Sequence, residues 1–400
     1  MFIKKIKNYL CLFFLILCGC ITEYNAPYLN EGRDILVVEG IITNNETVIT
    51  LSRSVNLTDD STTPNYIDNA RVYIESDDGT QWEAEPLNWD RFSSFWPTRN
   101  GRYTIKTGEL NLDRKYCLKI EIEEPDNSNG DCFAPPQSGI ICPTKTYEYC
   151  SDYSYPFNTP EIDSIFWTKK GRGQLVMIHA ATHSPDNDEL FCRWSFKEDW
   201  EIHSDAYLEK YPFYCWNMAN SRELIIASSV RTVFGKITDK VTELSPSNRK
   251  LEVLYRITVK QNAISKRAYD YYANIKKNIE QTGSIFAPTP SELSGNIICT
   301  TDPTKIVIGY VDVSITTQNH RYIPLRDGVY EYALRDCDPI PQDTLLVRYE
   351  NLEDIPDYYV IYEEFPFAMP PMSPTYLHVR CVDCTNYGIE QKPDDWPDRY

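Results

Sequence analysis

The 400-residue sequence predicts a mainly β protein in two parts, an immunoglobulin- or transthyretin-like β-sandwich followed by a larger β-rich domain with one amphipathic helix. Three observations carry this. Short runs alternate apolar and polar residues along most of the chain, turn-forming pairs separate them, and only one long stretch repeats its apolar residues at helical spacing. The divisions read from the sequence are 1–19, 20–33, 34–125 (the sandwich), 126–160 (a Cys- and Pro-rich linker) and 161–400 (the second domain).

The chain starts with a basic segment, Lys4, Lys5 and Lys7, and an apolar run from Tyr9 to Leu17 too short to span a bilayer. Leu17, Cys18, Gly19 and Cys20 fit a bacterial lipobox, so residues 1–19 read as a signal peptide and Cys20 as the lipid-modified first residue of the mature protein. Several acyl chains on one cysteine hold a protein at a membrane without spanning it, because each buried methylene contributes about 0.8 kcal/mol. Residues 20–33 read as the tether.

The sandwich begins with "DILVVEGIIT" (34–43) and "ETVITLSRSV" (46–55), read as a hairpin about Asn44 and Asn45. Asp78-Gly79 marks a turn in "ARVYIESDDGTQWEAEP". In "GRYTIKTGELNLDRKYCLKIEI" (101–122), Tyr103 and Ile105, then Leu110 and Leu112, and finally Tyr116, Leu118, Ile120 and Ile122, fall on period-two faces. Beyond the linker, "DSIFWTK" (163–169), "QLVMIHAAT" (174–182), "LFCRWSF" (190–196), "ELIIASSV" (223–230), "KLEVLYRITVKQ" (250–261) and "IVIGYVDVSI" (306–315) read as strands. The helix is placed at about 265–282, where Ala268, Tyr272, Ile275 and Ile279 share a face between Ser265 as N-cap and Gly283 as stop.

Cysteine usage agrees with export. Besides Cys20, ten cysteines follow the signal segment: Cys117, Cys132, Cys142, Cys150, Cys192, Cys215, Cys299, Cys337, Cys381 and Cys384. An even number in an exported chain reads as disulfides, with the pairing open. "CVDC" (381–384) also admits zinc or redox chemistry, but lacks a second close pair and the strand-to-helix setting of a thioredoxin-like site. Formal charge is -18, and removing residues 1–19 takes away three lysines and no acid, giving -21. Such a surface excludes nucleic acid as the expected partner.

Several blocks in order, "LVVEG", "KYCLKI", "PEIDSI", "CRWSF", "SKRAYDYY", "TGSIFAPTPSELSGNI" and "CVDCT", resemble the Bacteroidota lipoprotein family labelled domain of unknown function 4249. The resemblance implies an outer-membrane lipoprotein, often encoded beside a TonB-dependent transporter, and no established chemistry. Only Glu23 follows Cys20 closely, where many surface lipoproteins of that phylum carry a strongly acidic export signal.

No catalytic set, cofactor or metal site is expected. HExxH, GxSxG, P-loop and dinucleotide fingerprints are missing from the sequence. "SNRK" (247–250) has SxxK spacing without companion motifs, and His179 and His183 lie four apart in a strand without a third ligand. "SPDNDE" (184–189) lacks the glycine and the bidentate Glu of a calcium loop. Aromatic residues are the remaining signal, at 13% of the chain and concentrated in loop-like stretches. Phe95, Trp96, Tyr214, Trp216, Tyr358 and Tyr359 stand as candidate binding residues, with packing beside disulfides as their other reading.

The resulting expectation is a non-enzymatic, lipid-anchored outer-membrane protein, displayed at the cell surface rather than the periplasmic face. It would serve a TonB-dependent barrel in uptake of a peptide or glycan. A surface adhesin or structural module is the alternative, and a hydrolase with a scattered site the third.

Overall fold

The computed structural model describes residues 35–54, 65–85, 100–125, 144–184, 188–230, 232–281, 295–332, 337–349, 351, 353, 355–363 and 374–398. The fold is mainly β, as the alternating runs predict.

The first body opens with β1 (Leu36–Gly40), the short β2 (Ile42–Thr43) and β3 (Asn45–Arg53). β1 and β3 pair antiparallel from Leu36↔Arg53 to Gly40↔Ile49, the hairpin expected from the sequence. β4 (Asn65–Tyr66), β5 (Arg71–Ser76) and β6 (Gln81–Glu85) follow. Gly79, at φ 86°, supplies the left-handed turn between the last two. β7 (Arg102–Gly108), β8 (Tyr116–Pro125) and β9 (Thr144–Ser151) complete this run. β6 pairs with both β5 and β7, so one continuous sheet bends there. Its two halves share a core in which Val72, Ile74, Leu118 and Ile120 meet Ile49, Leu51 and Ile105. Burial alternates along β5 and β7, and that alternation is the sequence pattern made physical.

The second body contains β10 (Ile162–Thr168), β11 (Val176–His183), β12 (Phe191–His203), β13 (Tyr214–Asn220), β14 (Ile225–Ser228), β15 (Lys236–Leu244) and β16 (Leu254–Ala263). β10, β11 and β15 form one sheet; β12 is central to another, flanked by β16 on one side and by β13 and β14 in succession on the other. Ile165, Ile178 and Val241 from the first of these sheets share a core with Trp194, Tyr255 and Ile257 from the second.

Helix α1 (Lys266–Gln281) begins at Ser265, whose Oγ accepts from the Ala268 amide at 3.0 Å as an N-cap does. Ala268, Tyr271 and Tyr272 pack against Phe191, Ile264 and Tyr310. The apolar face is not covered to its end: Ile275 is half-buried, and Ile279, expected on the buried face, is 67% exposed.

The chain then returns to the first body. β17 (Ile297–Cys299) pairs with β9, β18 (Val307–Gly309) runs parallel to β1, and β19 (Val313–Ser314) runs parallel to β2. The first sheet therefore takes β9 from the stretch read as a linker and two edge strands from the stretch read as the second domain. β20 (Thr317–Pro324) pairs with β16 in the second body.

The C-terminal segment, rich in Pro, Asp and Tyr, is structured. β21 (Ile340–Pro341), helix α2 (Gln342–Tyr349), β22 (Tyr359–Glu363), β23 (Thr375–His378) and helix α3 (Val379–Val382) include a small sheet in the order β21-β23-β22. Two disulfides hold it, Cys337–Cys381 and Cys215–Cys384, each with Cα atoms 5.7 Å apart. The second bridge closes 169 residues, and chain-entropy reasoning assigns a loop of that length about 5 kcal/mol. Next to it, Trp216 and Ile389 exchange backbone hydrogen bonds at 2.8 Å, and a Cβ on Gly388 would meet the Trp216 carbonyl at 2.5 Å.

Candidate functional site: a groove between the two bodies

The residues singled out in the sequence scatter. Cys20, Phe95, Trp96, Cys132 and Cys142 lie outside the described residues. Tyr214 is 56% exposed and meets Phe213 and the His203 ring edge-on. Trp216 lies on the same strand beside the Cys215–Cys384 bridge. Tyr358 stacks on His378 at 4.9 Å, and Tyr359 packs against both. These four line none of the cavities described below.

Of the cysteines expected in disulfides, Cys215, Cys337, Cys381 and Cys384 form the two bridges, whereas Cys117, Cys150, Cys192 and Cys299 are free thiols. Cys192 and Cys299 are buried within apolar clusters and act as small core side chains. Burial pushes the Cys192 thiol up to about 12.

β12 brings together the features that most resemble an active site, three carboxylates within four positions. Asp199 is fully buried and accepts from Arg256 Nε at 3.1 Å and Nη2 at 2.9 Å. Glu198 accepts from Lys250 at 2.6 Å and Tyr255 at 2.8 Å, and Glu201 from the Trp396 indole at 2.9 Å and His203 at 2.7 Å. Each acid is thus committed to a partner. A buried charge is tolerated only when paired and hydrogen-bonded, so this network joins sheet and C-terminal segment as a structural strut.

The other sequence signals are likewise committed. Lys250 of "SNRK" is bound to Glu198, and Ser247 to Ser245, so the two form no nucleophile-base pair. His179 bonds Thr168, and His183 pairs with Asp163. The one cluster of metal-binding residue types among the described residues is Asp205, Cys337 and Cys381, and its two sulfurs are joined in a disulfide. Pro185, Asp186 and Asn187 of "SPDNDE" lie outside the described residues.

The opposite end of β12 opens onto space. A groove of about 900 Å³ lies between the first body, the second body and α1, with Val37, Ile308, Leu224, Ile226, Ile275 and Ile279 among its apolar lining. A smaller cavity of about 480 Å³, lined by Thr43, Asn44, Glu46, Lys260 and Asn262, shares Arg193, Trp194 and Ser195 with it. Arg193 stands where the two meet. Its Nη1 donates to Tyr272 Oη at 3.1 Å, its guanidinium lies 4.9 Å from that ring's centre, and Tyr272 Oη donates to the Tyr310 carbonyl at 3.0 Å. Burial pushes the Tyr272 phenol up.

α1 is fixed over this space by Asp312. That buried carboxylate accepts from the Ser265 amide at 2.8 Å and from its hydroxyl, where the positive end of the helix dipole also favours it. Burial nevertheless raises the Asp312 carboxyl above its ordinary value. Two strand edges reach the groove: among the described residues β14 pairs only with β12, β15 only with β11, and both strands contribute to its lining. Sequence reasoning missed this site because its walls come from six separate elements; the one local signal was the α1 apolar stripe running on to Ile279.

Among the described residues no helix is long and apolar enough to cross a membrane. No curated protein matches the chain. A family match covers residues 21–132 and 141–320, which includes every groove-lining residue and stops short of the disulfide-bonded C-terminal segment and its "CVDCT" block. The chain belongs to the family described as domain of unknown function (DUF4249).

Proposed function

We propose that this protein is a non-enzymatic, lipid-anchored accessory of a TonB-dependent uptake system at the outer membrane, and that it captures extended peptides in the groove at Arg193. The observation that carries the peptide reading is two strand edges lining one amphipathic groove. An added strand would gain affinity from backbone hydrogen bonds and selectivity from side-chain pockets. Charge supports it: Glu39, Glu223 and Asp239 line the groove together with Arg193, Arg222, Lys240 and Lys276, so it is nearly balanced on a chain of formal charge -18. A zwitterionic, mixed-polarity ligand fits such a lining. Arg193 carries five N–H donors, of which Tyr272 takes one, and the others suit a peptide carboxylate or carbonyl.

The anchor reading is supported by the lipobox at Cys20, and the barrel partner by the family resemblance. Purifying the tagged protein from outer membranes in mild detergent, beside a Cys20→Ala control, tests both. A stoichiometric TonB-dependent barrel with the native protein, and loss of membrane association in the control, is the expected result. A lone protein, from membranes whose known barrel complexes survive the same extraction, would favour a surface adhesin instead.

A further inference from the structure

Far from the groove, the outer face of the first sheet carries a second cluster. Leu118 and Ile120 of β8 point into the core, so Cys117 and Lys119 lie on the opposite face. Lys119 sits opposite Cys150 of β9, and Glu75 of β5 opposite Cys117. Cys117 and Cys150 are thus diagonal neighbours across two strands whose thiols influence one another, while the Cys150 thiol donates to the Ser151 carbonyl at 3.1 Å. The register slips beside them: Lys119 pairs with Cys150, but Tyr116 bridges Ser154, which gives β9 one extra residue and a local bend. Tyr153 covers the pair, its hydroxyl bonded to Glu75 and touching Cys117.

The two thiols are not equivalent. Cys117 is fully buried, and its interaction with Cys150 together with burial holds it far above the ordinary thiol range. Cys150 is half-buried, and the Cys117 thiol, reinforced by the Lys119 ammonium, brings it down to about 7. An accessible thiolate backed by a buried second thiol is the arrangement that thiol–disulfide exchange requires.

We propose that Cys117 and Cys150 form a redox-active dithiol that reduces low-molecular-weight disulfides and closes a reversible bridge between β8 and β9. The Cys150 thiolate attacks one sulfur of the small disulfide, forming a mixed disulfide and expelling one thiolate. Cys117 then gives up its proton and attacks the Cys150 sulfur, expelling the second. Two electrons pass from the protein to the small disulfide, and two small thiols are released for one bridge formed.

The test uses the full-length protein, treated briefly with dithiothreitol, desalted, exposed to oxidised glutathione and alkylated. Tryptic fragment 116–119 joined to fragment 146–169 is the expected product, with two glutathiones released per chain. Cys117→Ser is expected to stop at a stable glutathione adduct on Cys150. Cys150→Ser should slow the first step by at least about tenfold, since a buried thiol far above the ordinary range supplies almost no thiolate. Lys119→Met, which leaves both thiols in place, should slow it by a few-fold. A bridge from either residue to Cys132 or Cys142, or a glutathione adduct on Cys150 that persists in the native protein, would overturn the proposal.

Discussion

The two ends of β12 face opposite demands. Its second half, from Glu198 to Glu201, buries three carboxylates, and each meets a cation or donor from β16, the turn before β16, the same strand or the C-terminal segment. Its first half carries Arg193 to the junction of two cavities, where one tyrosine is its hydrogen-bond partner among the described residues. The comparison teaches that charge density does not mark a functional site. Where the fold brings partners to every charge, the residues hold elements together; where it leaves donors beside open space, they remain for a ligand.

The largest effects should come from breaking the strut. Asp199→Ala leaves the buried Arg256 with only the exposed Asp395 carboxylate, 3.9 Å away, and is expected to cost about 3–5 kcal/mol, read as a lower urea midpoint. If Asp199→Ala unfolds at the native midpoint, the network is not structural. Next comes the covalent tie. Cys215→Ser with Cys384→Ser should lower stability by about 2–5 kcal/mol and raise proteolysis of the C-terminal segment, while peptide binding at the groove persists.

Glu124 of β8 supplies an intermediate case, paired with Arg53 and Lys305 and only partly exposed. Burial works to raise its carboxyl, but those two cations outweigh it and hold the group below its ordinary 4.5. A depressed carboxyl contributes stability above its unfolded value, and that contribution is lost as pH falls through the lower folded value. Acid titration of stability should therefore be shallower below pH 4.5 in Glu124→Gln than in the native protein, and identical slopes would assign the acid sensitivity elsewhere.

The smallest effects on stability belong to the groove. Ile279→Glu, at an exposed position, should change stability by no more than about 0.5 kcal/mol. Arg193→Ala should cost about 1 kcal/mol through its contact with Tyr272. Both should weaken peptide binding at least tenfold by calorimetry. If either of these two groove variants unfolds readily yet binds normally, the roles assigned to the two ends of β12 are reversed.

The same contrast explains what could be read in advance. The β1–β3 hairpin, the Asp78-Gly79 turn and α1 with its Ser265 cap were legible, because local periodicity and turn chemistry determine them. "CRWSF" was legible as strand, but its continuation through Lys197, Glu198, Asp199 and Glu201 was not, since burial of those charges depends on Arg256, Lys250 and Trp396, which lie 50 to 200 residues away. β15 hid for a related reason: only Ile237, Val241 and Leu244 are buried in it, too sparse a pattern to stand out. Aromatic clustering in loops pointed to Tyr214 and Tyr358, which pack around His203 and His378, whereas the groove's own aromatics, Trp194, Tyr271, Tyr272 and Tyr310, are spread over separate elements and meet aliphatic and charged residues brought together from across the chain.

Backbone hydrogen exchange, with and without a tryptic digest of casein as the peptide source, tests the central claim most directly. If extended peptides add to the strand edges in the groove, protection should rise at residues 224–226 and 239–241, and Arg193→Ala should abolish the rise. Unchanged exchange there, or protection confined to the Tyr214 and Tyr358 surfaces, would contradict it.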